Sequence, residues 1–196
     1  MELVEEPEGL VILPPLAKGE QIEAWTEGEV ATDDPRLGLL LAGASAAVRN
    51  YCGWHVAPVV RDTLTVTDHY GGGQLDLLVP TGHLRDVTAV RVDGRPVERY
   101  AWDATGAVWA GPLSSGPHRV EVDVEHGWHL SEVPALASIV VQVSVVALSS
   151  PKGATREQAG QVSVSWAQTA IGVSGGLTLL ERDLAVLDGY RIGGAP

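Results

Sequence analysis

The hydrophobic period of the chain changes along its length, from helical spacing to strict alternation and then to an unbroken apolar run. Between residues 35 and 52, apolar side chains recur every three or four positions, which predicts a helix over Pro35–Cys52. Asp34 is a candidate N-cap beside Pro35, and Gly53 is a natural C-terminal stop. A first helix is therefore expected directly before an alternating region.

From Arg61 to Glu125 apolar and polar residues alternate, as in strands with one face in water. Gly71–Gly73 predicts a turn in this region. Asp93-Gly94 predicts a tight hairpin, and Asp103–Gly106 predicts another between two aromatic strands. The region is expected to form an antiparallel sheet.

The third pattern is the apolar run Val133–Leu148, whose length without an internal Gly favours a buried helix. The run is too short and too polar for a typical membrane span, so we expect no membrane partner. Val162–Trp166 alternates as a strand, and a leucine stripe predicts a last helix over Leu177–Asp188.

These elements predict an α+β fold in which an antiparallel β-domain is inserted between the first two helices of a small helical bundle. A strand loop precedes the C-terminal helix. The expected parts are an N-terminal arm, a helical body, the inserted β-domain and a C-terminal tail, with bounds at residues 1–32, 33–60 with 129–192, 61–128, and 193–196. The arm carries Pro14-Pro15, which suits neither a helix nor a central strand, and it covers either its own body or a neighbour.

Charge and cysteine content limit the function classes. The net charge is −12, so clustered phosphate contacts to nucleic acid are not expected. This excess of negative charge fits either plain solubility or a surface along which DNA passes without binding. Cys52 is the single cysteine, which excludes an intrachain disulfide, and the acidic start does not resemble a secretory signal.

The candidate chemical motifs each lack a necessary part. His126 and His129 have the spacing of metal ligands but no second ligand pair, and a polar turn is the simpler interpretation. Cys52 and His55 form no recognisable dyad, and no phosphate-binding loop is present. We therefore expect no enzyme activity, no cofactor and no metal.

Three stretches, Ala42–Pro58, Ser150–Trp166 and Gly172–Tyr190, carry a resemblance that spans roughly residues 33–192. They resemble the head-to-tail connector proteins, also called adaptors, of long-tailed bacteriophages, in the form found in phages of actinobacteria. The resemblance implies a homo-oligomeric ring, usually a dodecamer, at the head–tail interface of the virion. Its implied partners are the portal protein, a stopper or head-closure protein, and genome DNA that passes through without specific binding. The protein would be made in the bacterial host cytoplasm.

Two groups of residues follow as candidate contact sites. The strand Val162–Trp166 pairs either with a neighbouring subunit or in a local hairpin, and the expected inter-subunit residues are Val162, Val164, Trp166 and Ile171. The expected portal-facing tail comprises Tyr190, Arg191 and Ile192, with simple terminal disorder as the alternative.

An alternative function is a non-catalytic module in which the β-domain binds carbohydrate or peptide. Its motivation is three tryptophans of the β-domain that are expected to be exposed, Trp102, Trp109 and Trp128.

Overall fold

The computed structural model describes residues 13–149, 156–159, 162–165 and 177–192. Mixed helices and an antiparallel sheet confirm the α+β class. The helices are α1 (Gly19–Trp25), α2 (Leu37–Cys52), α3 (Pro134–Ser149) and α4 (Glu181–Leu187), and short 3-10 turns span Leu130–Glu132 and Asp188–Tyr190. The strands are β1 (Val60–Leu78), β2 (Leu84–Val92), β3 (Arg95–Pro96), β4 (Tyr100–Trp102), β5 (Ala107–His126), β6 (Arg156–Ala159) and β7 (Val162–Ser165).

The α2 helix ends where the sequence predicts but begins two residues later. Gly53 adopts a φ of 79°, and its N–H donates to the carbonyl of Arg49. At the other end, the Asp34 carboxylate accepts the Arg36 N–H at 2.9 Å. Asp34 therefore stabilises the turn before the helix rather than the first turn of the helix itself.

The main sheet has the order β1-β5-β2-β3, with β4 paired to β5. Both predicted hairpins are confirmed, since Val92 pairs with Arg95 and Trp102 pairs with Val108. The turn predicted at Gly71–Gly73 is wrong, because β1 continues through it alongside β5. Gly72 and Gly73 have φ values of 87° and 101°, so the glycines bend the strand instead of reversing the chain.

One face of this sheet holds an aliphatic core and the other carries charge. Burial alternates along β2 and β5, with Val90, Val120 and Val122 fully covered. On the polar side, Arg91 donates two hydrogen bonds of 2.6 Å to the Asp123 carboxylate. This pairing raises the pKa of Arg91 and lowers that of Asp123.

The helices enclose a second hydrophobic core. α3 is buried over most of its length and packs against α2, as the apolar run predicts. The sheet core and the helical core are separate clusters of buried residues. The insertion of one part into the other as a domain stays a prediction.

The described part of the arm covers its own body, and it contains a helix that the sequence did not predict. Leu16 and Ile22 are buried in the helical core, and the Leu16 N–H donates to Ser45 Oγ at 2.9 Å. α1 has only seven residues, so its stability comes from these contacts rather than from intrinsic propensity.

The last helix is shorter than predicted. The Leu180 N–H is bonded to the Asp183 carboxylate at 2.9 Å, which sets the start at Glu181. The chain then tightens into a 3-10 turn after Leu187. Among the described residues, none of the helices combines the length and the apolar character that a membrane crossing requires.

The Arg49 guanidinium joins three segments near the end of α2. It donates to the carbonyls of Pro14 (2.7 Å), His55 (3.0 Å) and Ala57 (2.8 Å). Burial lowers the pKa of Arg49, and the carbonyl oxygens supply the negative end of the interaction. One cation thus fixes the arm and the exit from α2 to the same point.

Replacing Arg49 with Lys tests this joint. A lysine ammonium lacks the planar fork that reaches three carbonyls, so Arg49→Lys is expected to lower the free energy of unfolding by about 1–3 kcal/mol. Urea denaturation measures the change. Arg36→Lys, at an exposed ion pair, is the control and is expected to have little effect. Equal stability of Arg49→Lys and the unmodified chain would contradict this role.

Candidate functional site

The helical core and the sheet meet at a cluster of aromatic rings. Trp54 and His55 follow α2, and His126 ends β5. The His55 and His126 rings lie 4.4 Å apart between centroids, and the Trp54 ring stacks at 6.3 Å from His126. Nearby, His83 stacks on Trp128 at 3.6 Å. We call this set of five rings the junction cluster.

His126 is almost fully buried in this cluster, with 3% of its surface exposed. Its Nδ1 lies 2.9 Å from the Thr81 hydroxyl, while its buried Nε2 has no hydrogen-bond partner. Burial, and to a smaller extent the neighbouring His55, lower the pKa of His126 to about 4, while Asp62 opposes the shift. The ring is therefore neutral at neutral pH.

His55 is held in the same neutral state. Its Nε2 lies 2.9 Å from the Pro58 carbonyl, which only accepts, so this nitrogen carries the proton. Burial is the main cause that lowers the pKa of His55. A β-carbon on Gly127, where φ is 103°, would lie 2.5 Å from His55 Nε2. The junction cluster has no room for a side chain there.

The C-terminal residues Tyr190, Arg191 and Ile192 are docked beside the junction cluster. Trp54 Nε1 donates to the Tyr190 carbonyl at 2.6 Å, and the Ile192 N–H donates to the Cys52 carbonyl at 3.0 Å. The Arg191 guanidinium lies 5.1 Å from the centre of the Tyr51 ring. Each of these three residues has a defined contact with the body of the protein. Their contact with a portal stays a prediction.

A groove of about 740 Å³ opens beside this segment. It is lined by the loop from Val79 to His83, by the β4–β5 turn, and by Arg191 and Ile192. Two of the three residues expected to face a portal thus border the groove.

The structure does not bring the metal and nucleophile candidates into working arrangements. His126 is buried while His129 is exposed, and the described residues contain no group of three His, Cys, Asp or Glu that fits a metal ion. Cys52 is buried, and burial raises the pKa of its thiol to about 11. A thiolate nucleophile is therefore disfavoured at this position.

A serine, a histidine and an aspartate do come together elsewhere. His118 Nδ1 lies 2.7 Å from Asp93, and its Nε2 lies 3.2 Å from Ser114 Oγ and 3.0 Å from the Ser114 carbonyl. The carbonyl contact requires a proton on Nε2, which prevents that nitrogen from taking the hydroxyl proton. Asp93 raises the pKa of His118, and the contact between them ties the β2–β3 turn to β5.

The strand predicted at Val162–Trp166 forms a local hairpin. β7 pairs with β6, where Val162 lies opposite Ala159 and Val164 lies opposite Glu157. This two-stranded sheet is joined to none of the other described strands. Pairing with a neighbouring subunit stays a prediction, and Trp166 and Ile171 lie outside the described residues.

The three tryptophans that motivate a binding module are each partly buried. Trp102 packs against the sheet core and Trp128 against the helical core. Trp109 lines a shallow groove of about 400 Å³ with Tyr100 and Arg99. The motivation for carbohydrate or peptide binding is thereby reduced to Trp109.

No protein-family model matches this chain, and no curated protein matches its sequence.

Because His126 is buried in the junction cluster, we expect the free energy of unfolding to increase with pH between about 4 and 6.5. The unfolded chain binds protons at His126 below its ordinary pKa of 6.5, while the folded chain binds them only near 4. The contribution of His126, at most about 3 kcal/mol, is therefore complete above pH 6.5 and is lost as the pH falls toward 4. Chemical denaturation at a series of pH values measures it.

His126→Asn keeps a group near Thr81 without the titration and is expected to flatten the slope in this pH window. His118→Asn is the control, because the raised pKa of His118 contributes stability at low pH that is lost as the pH rises. The slope of His118→Asn should be at least as steep as that of the unmodified protein. An unchanged slope in His126→Asn would show that His126 is not the source.

Proposed function

We propose that this chain is a structural subunit of a phage head-to-tail connector. In this proposal it forms a ring under the portal, joins the capsid to the stopper and tail, and lets the genome pass. It acts at the head–tail interface of the virion and performs no catalysis.

The observation that carries the proposal is the separate hairpin β6–β7. Two four-residue strands that pair only with each other, among the described strands, are marginally stable in water. Such a hairpin gains stability when another chain covers it or extends it. A closed ring supplies that neighbour at every position, because each subunit presents the same two surfaces.

The resemblance adds a second line of support. Its first stretch contains most of α2 and the exit that Arg49 holds, the second contains β6–β7, and the third contains α4. The resemblance therefore falls on part of the helical core, on Tyr190 at the start of the docked C-terminal segment and on the separate hairpin. The long β1–β5 ribbon lies outside the three stretches.

The docked C-terminal segment supports the expected portal contact. Tyr190 is bonded to Trp54 in the exit from α2, and Ile192 is bonded to Cys52 at the end of α2, so both hold defined positions beside a groove. In the proposal the portal contacts this part of the surface. Residues that are already held in place lose less conformational entropy when a partner binds them.

The distribution of charge supports passage of DNA without binding. Ten of the 25 acidic residues and two of the 13 basic residues lie within the first 36 positions. Glu20, Glu27 and Glu29 in this region are exposed. A surface of this sign repels phosphates and offers no cluster of cations to hold them.

Native mass spectrometry of the purified chain, alone and with its portal protein, tests the function. The proposal expects a closed homo-oligomer or a complex in which several copies bind one portal ring. A strict monomer that binds neither portal nor virion under these conditions would contradict it.

Two substitutions in the second resembling stretch are expected to weaken ring assembly more than folding. Val164→Asp places a charge in β7, and Trp166→Ala removes an aromatic anchor of the kind that dominates interfaces. Sizing chromatography should show loss of the ring, while thermal melting of the monomer should shift by less than about 2 °C.

Ser115→Asp supplies the matched control, because it adds the same charge at an exposed position of β5, away from the groove. It should leave assembly unchanged. Parallel loss of assembly and of melting temperature in Val164→Asp would show that β7 belongs to the subunit core.

A further inference from the structure

The two edges of the main sheet differ in how well they are protected. On one side β3 has only two residues and ends in Pro96, which has no N–H to offer. The Tyr100 hydroxyl donates to the Val87 carbonyl at 3.2 Å and so occupies a backbone acceptor of β2. A short edge strand and a proline are features that prevent another chain from pairing.

The opposite edge is β1, and it lacks these features. β1 has 19 residues, contains neither Lys nor Pro, and pairs only with β5 among the described strands. The Thr63 N–H is bonded to the Asp62 carboxylate at 2.7 Å, which closes one position. The next four residues, Leu64–Thr67, form an open strand edge that favours pairing with another strand.

The side-chain pattern of this edge matches β7. Leu64-Thr65-Val66-Thr67 and Val162-Ser163-Val164-Ser165 have the same length and the same alternation of aliphatic and hydroxyl residues. Leu64 and Val66 pack against the sheet core, whereas Thr65 and Thr67 are exposed. If Val162 lies opposite Leu64 and Val164 lies opposite Val66, β7 places its valines on the core side and its serines beside the threonines.

Within one subunit these two strands belong to different sheets. We propose that Leu64–Thr67 of one subunit pairs with Val162–Ser165 of a second copy, which extends the main sheet of its neighbour. This inference rests on the proposed ring and names the surfaces that close it. Backbone hydrogen bonds supply the attraction, and the shared alternation sets the register.

Hydrogen–deuterium exchange on the full-length chain, as monomer and as assembled ring, tests the pairing. Amides of Leu64–Thr67 that face away from β5 are expected to exchange about tenfold more slowly in the ring. Amides of β7 that face away from β6 should slow in parallel. A ring in which Leu64–Thr67 exchanges as in the monomer would overturn the pairing and leave the proposed ring intact.

A pair of variants tests the same surface by a different measurement. Thr65→Lys adds a charge to the open edge and is expected to weaken assembly about tenfold or more. Thr88→Lys adds the same charge at an exposed position of β2, away from β1, and should leave assembly unchanged. Both monomers should melt normally, because both threonines are exposed.

Equal assembly of the two lysine variants would overturn the pairing. A wild-type chain that stays monomeric in the presence of portal protein would contradict the ring itself and the pairing with it. These outcomes separate the failure of the inference from the failure of the proposed function.

Discussion

The end of α2 is the point on which the rest of the structure depends, and the Arg49 guanidinium fixes it. The guanidinium satisfies carbonyls from the arm and from the exit loop, which orients the chain as it enters β1. Trp54, which lies within the same exit, binds the C-terminal segment through the Tyr190 carbonyl. The half-buried Arg49 and the exit that it holds thereby relate the arm, the sheet and the C-terminal segment, and an assembly built from these surfaces requires that relation to be constant.

Local signals predicted part of this fold, and long-range contacts determined the remainder. Gly53 and Asp93-Gly94 were sufficient for a helix end and a hairpin, because each acts through its own backbone. Gly71–Gly73 was misleading, since positive φ values serve a bent strand as well as a turn, and only pairing with β5 decides between them. The short helix α1 was missed because burial of Ile22 supports it, and that burial has no sequence signature.

In the junction cluster, too, local sequence signals identified single residues but not their long-range partners. The sequence marked His126 as a metal candidate, whereas its partner Thr81 is 45 positions away. Burial lowers the pKa of His126, so the ring stays neutral, and burial raises the pKa of Cys52, which suppresses formation of a thiolate. The residues that looked chemically active therefore serve packing between the helical core and the sheet. Among the described strands, β1 pairs only with β5, and the backbone groups of such an edge favour association with another strand.

Electron microscopy of the purified virion neck tests the central claim most directly, because it observes the subunit among its neighbours. The account predicts a ring directly beneath the portal in which each copy of this fold contacts two others. It also predicts continuous density between β7 of one copy and β1 of the next. A neck that lacks this chain, or contains it as an isolated copy without ring contacts, would contradict the assignment.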